Sequence, residues 1–271
     1  MSTLPDSNTP ASPEEMPFVA PCRVLDATAP LRWLRLGWAD FARAPRLSFA
    51  YGATLMLLSM AIGIFTWRFG TLALYIGLAT GFVFVGPVLA VGLYSISRQF
   101  ESGQEPVLGY CVREGWDHLR DLLVLGLVLL VVLLVWARAA ATMYIFFPDQ
   151  AHPDVRQLLP FLGLGSAVGA VFAGIVFAAS AFSLPMILDR KVDAITAVVT
   201  SVNAVLRNKK PMIVWAALIG LFVVLGFATA FLGYAVLLPV IGHATWHGYR
   251  ETIDASAWPR NEPLTSGELA T

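Results

Sequence analysis

His243 and His247 are one helical turn apart, so a helix places both imidazoles on one face, as a bis-histidine metal or haem site requires. Two histidines do not close such a site. Residues able to complete it are His118, Asp189 and Asp193. The bland reading of the pair is hydrogen bonding at a membrane interface, where the neighbouring Trp246 and Tyr249 are also at home. Arg138 is the one formal charge inside a long apolar run. An arginine there faces the bundle or a watery cavity, or snorkels to the headgroups from a helix end. Asp189 and Arg190 close another apolar run and form either an interfacial ion pair or a polar intramembrane site.

These residues sit in a chain unlike a soluble domain. Of 271 residues, 57% are hydrophobic and 13% charged, about half the charged share of an ordinary globular domain, and the mean hydropathy is +0.70. Lys plus Arg equals Asp plus Glu at 18 each, so there is no basic stripe to neutralise nucleic-acid phosphates. No Gly-x-Ser-x-Gly elbow, phosphate-binding Gly-Lys-Ser/Thr loop or His-Glu-x-x-His helix occurs. Four histidines cannot ligate the centres of a haem-copper oxidase. The chain reads as non-enzymatic, with no cofactor expected unless the histidine pair holds metal or haem.

Uncharged stretches long enough to cross about 30 Å of hydrocarbon give the organisation: an all-α membrane protein of about six spans in three hairpins. The spans are placed at 47–67, 71–97, 122–147, 158–188, 212–232 and 234–249. The segment from Pro211 to Gly242 is too long for one span and slightly short for two; extension through Tyr249 and a turn near Gly233 resolve it. Gly81, Pro87, Tyr94 and Arg98 recur at the same spacing as Gly233, Pro239, Trp246 and Arg250, so the second and sixth spans read as copies. Ser183 to Arg190 is a fainter echo, again with a mid-course proline that frees a carbonyl and kinks the helix.

Leu31 to Ala44 reads as a short amphipathic helix with Leu31, Leu34, Trp38 and Phe41 on one stripe, a lead-in at headgroup level. Residues 1–30, with six prolines, read as a disordered tail, as do residues 252–271; residues 31–251 form the membrane domain. Thirteen Lys and Arg fall in the loops on one side and two, Arg68 and Arg156, on the other. Both termini are therefore expected in the cytoplasm, where Cys22 and Cys111 stay reduced. Gly77 with Gly81, and Ser166, Ala170, Gly174 and Ala178, recur every four residues and permit close helix approach.

Three stretches, Gly81 to Arg98, Phe182 to Arg190 and Gly242 to Arg250, resemble those of a bacterial integral-membrane family, domain of unknown function 2189. The resemblance covers roughly Trp33 to Glu251 and implies a multi-pass protein of the bacterial inner (plasma) membrane, with no activity attached. The expected partners are the bilayer and other membrane proteins or further copies of the chain. Function then divides into a transporter-like bundle, an assembly partner of membrane proteins, and a respiratory-chain accessory or metal- or haem-binding protein using His243 and His247. A conduit would set Arg138, Asp189 and the prolines along one cavity. A metal module would converge the histidines with a third ligand. An assembly partner would show neither and would expose a groove of small residues.

Overall fold

The structure is a computed structural model describing residues 17–70, 90–143, 145 and 155–261. Among them every regular element is a helix: α1 Ala29–Arg43, α2 Pro45–Phe69, α3 (residues 90–101), α4 Leu108–Asp117, α5 Leu119–Met143, α6 Val155–Ser180, α7 Ser183–Asp189, α8 Ala194–Arg207, α9 Lys209–Ala228 and α10 Tyr234–Thr252. Residues 71–89, most of the expected second span, lie outside the described residues.

Four segments are long and apolar enough to cross a membrane: Pro45–Phe69, Leu119–Met143, Leu158–Asp189 and Lys209–Ala228. At 25 residues, α2 and α5 reach about 37 Å, more than the hydrocarbon layer needs. Their surfaces settle the solvent. Leu57, Ile64, Leu123, Leu127, Leu134, Val171, Ile213, Val224 and Phe227 are all more than half exposed. A contiguous apolar surface of this kind is untenable in water and natural against acyl chains.

The sixth expected span is a different kind of helix. Twelve of the 19 residues of α10 are buried, and it packs most extensively against α1 and α2. Protein rather than lipid surrounds it, which is why it tolerates His243, His247, Arg250 and Glu251. Pro239 leaves the Ala235 carbonyl without its helical N–H, and α2 brings Gly52 onto that carbonyl. A Cβ on Gly52 would stand 2.0 Å from the Ala235 oxygen.

The helix α1 occupies the expected segment but works through two faces. Trp33, Gly37 and Asp40 are buried, and a Cβ on Gly37 would meet the Ala244 nitrogen at 2.6 Å. Leu31 and Trp38, from the stripe read as membrane-facing, are exposed on the outside. Trp33 donates to Glu251 at 2.7 Å and packs edge-on against Phe182 and Trp215. Pro45 separates α1 from α2 by forcing the preceding Ala44 out of helical geometry (ψ 58°).

The fourth expected span breaks at residues 181–182, just before the proline whose kink the sequence suggests. Pro185 has no N–H for the Ala181 carbonyl, and at the break the Phe182 N–H leaves the Ala178 carbonyl and donates to Ser201 Oγ at 3.1 Å. The Ser201 hydroxyl in turn donates to the Ala178 carbonyl at 2.7 Å, so α8 splints the kink. The turn between α9 and α10 falls where expected, near Gly233. The left-handed residues in it are Ala230 (φ 50°) and Phe231 (φ 70°), held by Thr229 Oγ1 accepting from the Gly233 N–H at 2.9 Å.

The sequence assigned residues 17–30 and 252–261 to disordered tails, and here the structure corrects it. Arg23 N–H donates to the Thr252 carbonyl and Asp254 N–H to that of Pro21, at 2.8 and 2.9 Å. Asn208 accepts from Leu25 N–H and donates to the Arg23 carbonyl. The physical reason is pairing: each strand-like piece satisfies the other's backbone. Residues 1–16 and 262–271 lie outside the described residues. The chain thus enters and leaves the bundle at one end.

Gly52→Val is expected to lower the thermal unfolding midpoint of the purified protein markedly, through about 1–3 kcal/mol of overpacking. Gly163→Ala, where a Cβ meets nothing within 4 Å, should change it little, within about 0.5 kcal/mol.

Candidate functional site

At the end where the chain enters and leaves, α3, α4, α7, α10 and residues 253–261 converge on an ionic cluster. Asp189, 1% exposed, ends α7 because the Pro185 kink aims that turn inward. Its Oδ2 accepts from Tyr249 Oη at 2.8 Å, Arg190 Nε at 2.9 Å and Arg250 at 3.1 Å, with Arg260 Nε 3.7 Å from Oδ1. Glu101 Oε1 receives Arg250 and Arg260, each at 2.8 Å, and Oε2 receives Trp246 Nε1 at 3.2 Å. Arg98 joins the buried Glu114 to the Asn261 carbonyl. The Asn261 amide donates to the carbonyls of Ile187, Leu188 and Arg190 and to His118 Nε2.

Chemically this is a clamp. Arginine neither gives nor takes a proton near neutrality, and Asp189 Oδ2 and both Glu101 oxygens are already committed to donors, with Asp189 Oδ1 facing Arg260. Glu114 Oε2 alone is buried with no hydrogen-bond partner among the described residues, so that carboxylate leans on Arg98. The two thiols stand apart: burial pushes both Cys22 and Cys111 up from the ordinary thiol pKa, which disfavours thiolate chemistry.

The histidines share α10 but not a site. His243, fully buried, has Nε2 2.9 Å from Ser48 Oγ on α2 and Nδ1 2.8 Å from Ser97 Oγ on α3. His247 Nε2 lies 2.8 Å from Asp40 Oδ2 on α1. The residues named to complete a metal site are elsewhere engaged. His118 bonds to Asn261 and the Glu114 carbonyl, Asp189 is in the clamp, and Asp193 caps α8 through the N–H groups of Ile195 and Thr196. Among the described residues no group of three or more His, Cys, Asp or Glu is placed to hold a metal ion.

Arg138 is exposed on α5, whose first turn adjoins the clamp. Nineteen residues of helix put it about 28 Å away, so Arg138 and Asp189 do not line one cavity. Asp189 and Arg190 do come together. Glu101 and His118 are clamp members, because residues from 246 to 261 fold back over them. Arg98 and Arg250 occupy equivalent places in the internal repeat and both reach this cluster, a signal that marked them in advance. Nothing in the sequence singled out Asp40, Ser48, Ser97, Glu114 or Asn261.

Arg98→Met should cost about 3–5 kcal/mol by stranding the buried Glu114. The double variant Arg98→Met/Glu114→Met should recover much of that loss, read from denaturant or thermal unfolding in detergent.

No match to the chain is found among curated proteins or among solved structures. A family model does match, and its span includes all of Gly81 to Arg98 and all of the second quoted stretch but Arg190, while Gly242 to Arg250 lies beyond it. Over residues 74–189, which take in α3 to α7 and end at the clamp's central carboxylate, the chain matches the family described as "Predicted integral membrane protein (DUF2189)".

Proposed function

We propose that this integral membrane protein is a non-enzymatic assembly partner of the bacterial inner membrane, its clamp on the cytoplasmic side and its α5–α6 hairpin offered to other membrane helices. The observation that carries this reading is the exposed small-residue stripe on that hairpin among the described residues. Among the described helices, α5 and α6 pack against each other and against α8 and the short elements at the clamp end, but have no comparable contact with α2, α9 or α10. Along α6 the small residues Ser166, Ala170 and Gly174 are exposed, and a Cβ on Gly163, Gly165, Gly169 or Gly174 would meet nothing within 4 Å. Small residues on a membrane helix let a second backbone approach closely, and van der Waals packing then drives association.

The positive residues support the orientation. The loops that meet at the clamp end carry the Lys and Arg excess, and retained cations mark the cytoplasmic side. A conduit is disfavoured by the outward position of Arg138, and a haem or metal module by the separate partners of His243 and His247.

Ser166→Cys in a chain lacking Cys22 and Cys111 is expected to cross-link in native membranes to a second polypeptide, either another protein or a further copy. Gly174→Leu should reduce the yield several-fold by filling the groove. A monomer that gives no cross-link from Ser166 or from Ala170→Cys contradicts the reading, as does a yield indifferent to Gly174→Leu.

A further inference from the structure

Beside the clamp lies an open cavity of about 570 Å³ between the α4–α5 junction and the α7–α8 connection. Two cations on its rim, Arg120 at the start of α5 and Lys191 after α7, are exposed. Among the described residues neither side chain has an ion-pair or hydrogen-bond partner. That sets them apart from Arg190, whose guanidinium is fixed on Asp189 and the Trp258 carbonyl. His118 also lines the cavity but is committed: its Nε2 accepts from Asn261, so Nδ1 carries the proton and donates to the Glu114 carbonyl.

The acids on the rim do not neutralise these cations fully. Asp193 Oδ1 is held by the first N–H groups of α8, and Asp121 sits in the first turn of α5, where the helix dipole favours it. Apolar side chains supply about half of the lining, with Val124, Ile187 and the 59% exposed Ile195 beside the charged rim. The cavity sits where α5 begins and the Leu158–Asp189 span ends, at the edge of the hydrocarbon. Free cations over an apolar wall at that level match a lipid whose phosphate is anionic and whose first methylenes follow the helices inward.

We propose that this cavity binds a phosphate-bearing anion, with Arg120 and Lys191 on the phosphate oxygens, and that an anionic phospholipid headgroup supplies it. The site lies at the first turns of α5, away from the small-residue stripe of α6 on which the lateral-assembly reading rests.

The test uses the delipidated full chain in detergent. Dioleoyl-phosphatidylglycerol, dioleoyl-phosphatidylcholine and inorganic phosphate are each titrated and read by native mass spectrometry and thermal shift. Phosphatidylglycerol is expected to bind in preference to phosphatidylcholine, and R120Q/K191Q to weaken it about tenfold or more. K209Q/K210Q, which removes the same charge at the same membrane boundary, should leave binding unchanged. R120K, which keeps the charge, should retain it and guards against a folding defect. Inorganic phosphate binding alone, lost in R120Q/K191Q, supports the phosphate site and assigns it to the free anion. Equal affinity for the two lipids without phosphate binding overturns the proposal, as does phosphatidylglycerol binding indifferent to R120Q/K191Q.

Discussion

The Asp189 carboxylate, buried and ringed by Tyr249, Arg190, Arg250 and Arg260, is the interaction on which the rest of the architecture depends. It joins the end of one membrane segment to the end of α10 and to the residues that follow it. Through Arg250 and Arg260 it shares charge with Glu101 of α3, and through Asn261 it is linked to the α4–α5 junction. A buried charge is tolerable only when paired and hydrogen-bonded. Here the pairing requires five separate pieces of chain to meet, so electrostatics fixes which helix ends lie together.

Above the clamp the governing constraint is the solvent. Acyl chains give two apolar helices no hydrophobic reason to associate, so packing there relies on close approach and on kinks whose freed groups find partners. Gly52 lets α2 approach the Ala235 carbonyl that Pro239 leaves open, and Ser201 bonds both the Phe182 N–H and the Ala178 carbonyl, which part at the 181–182 break. The inside of the bundle is correspondingly polar for its depth. His243 between two serines is satisfied at both nitrogens in a place lipid could not serve.

The membrane class, the described spans and the turn near Gly233 were legible because they depend on composition and length within one segment. The clamp was not, because Glu101 and Arg260 are 159 positions apart and nothing local marks a carboxylate as destined for burial. The tails misled for the same reason: proline content describes a segment in isolation, whereas Arg23 and Thr252 stabilise each other only once both are delivered to one end. The histidine pair shows the limit of spacing. Residues four apart are offset by about 40° around a helix, enough for α10, hemmed in by α1, α2 and α3, to give its two imidazoles to different neighbours.

This division of labour leaves a polar end tied by ion pairs and an apolar surface of membrane-length helices. The central claim is that the clamp closes over residues 253–261. Hydrogen–deuterium exchange of the full chain in lipid nanodiscs reads it directly. With the clamp closed, the amides of Ile253, Asp254, Trp258 and Asn261 exchange slowly, together with those of α7 and α10. Exchange of residues 253–261 at the rate of an unstructured peptide, with α7 and α10 protected, would contradict it.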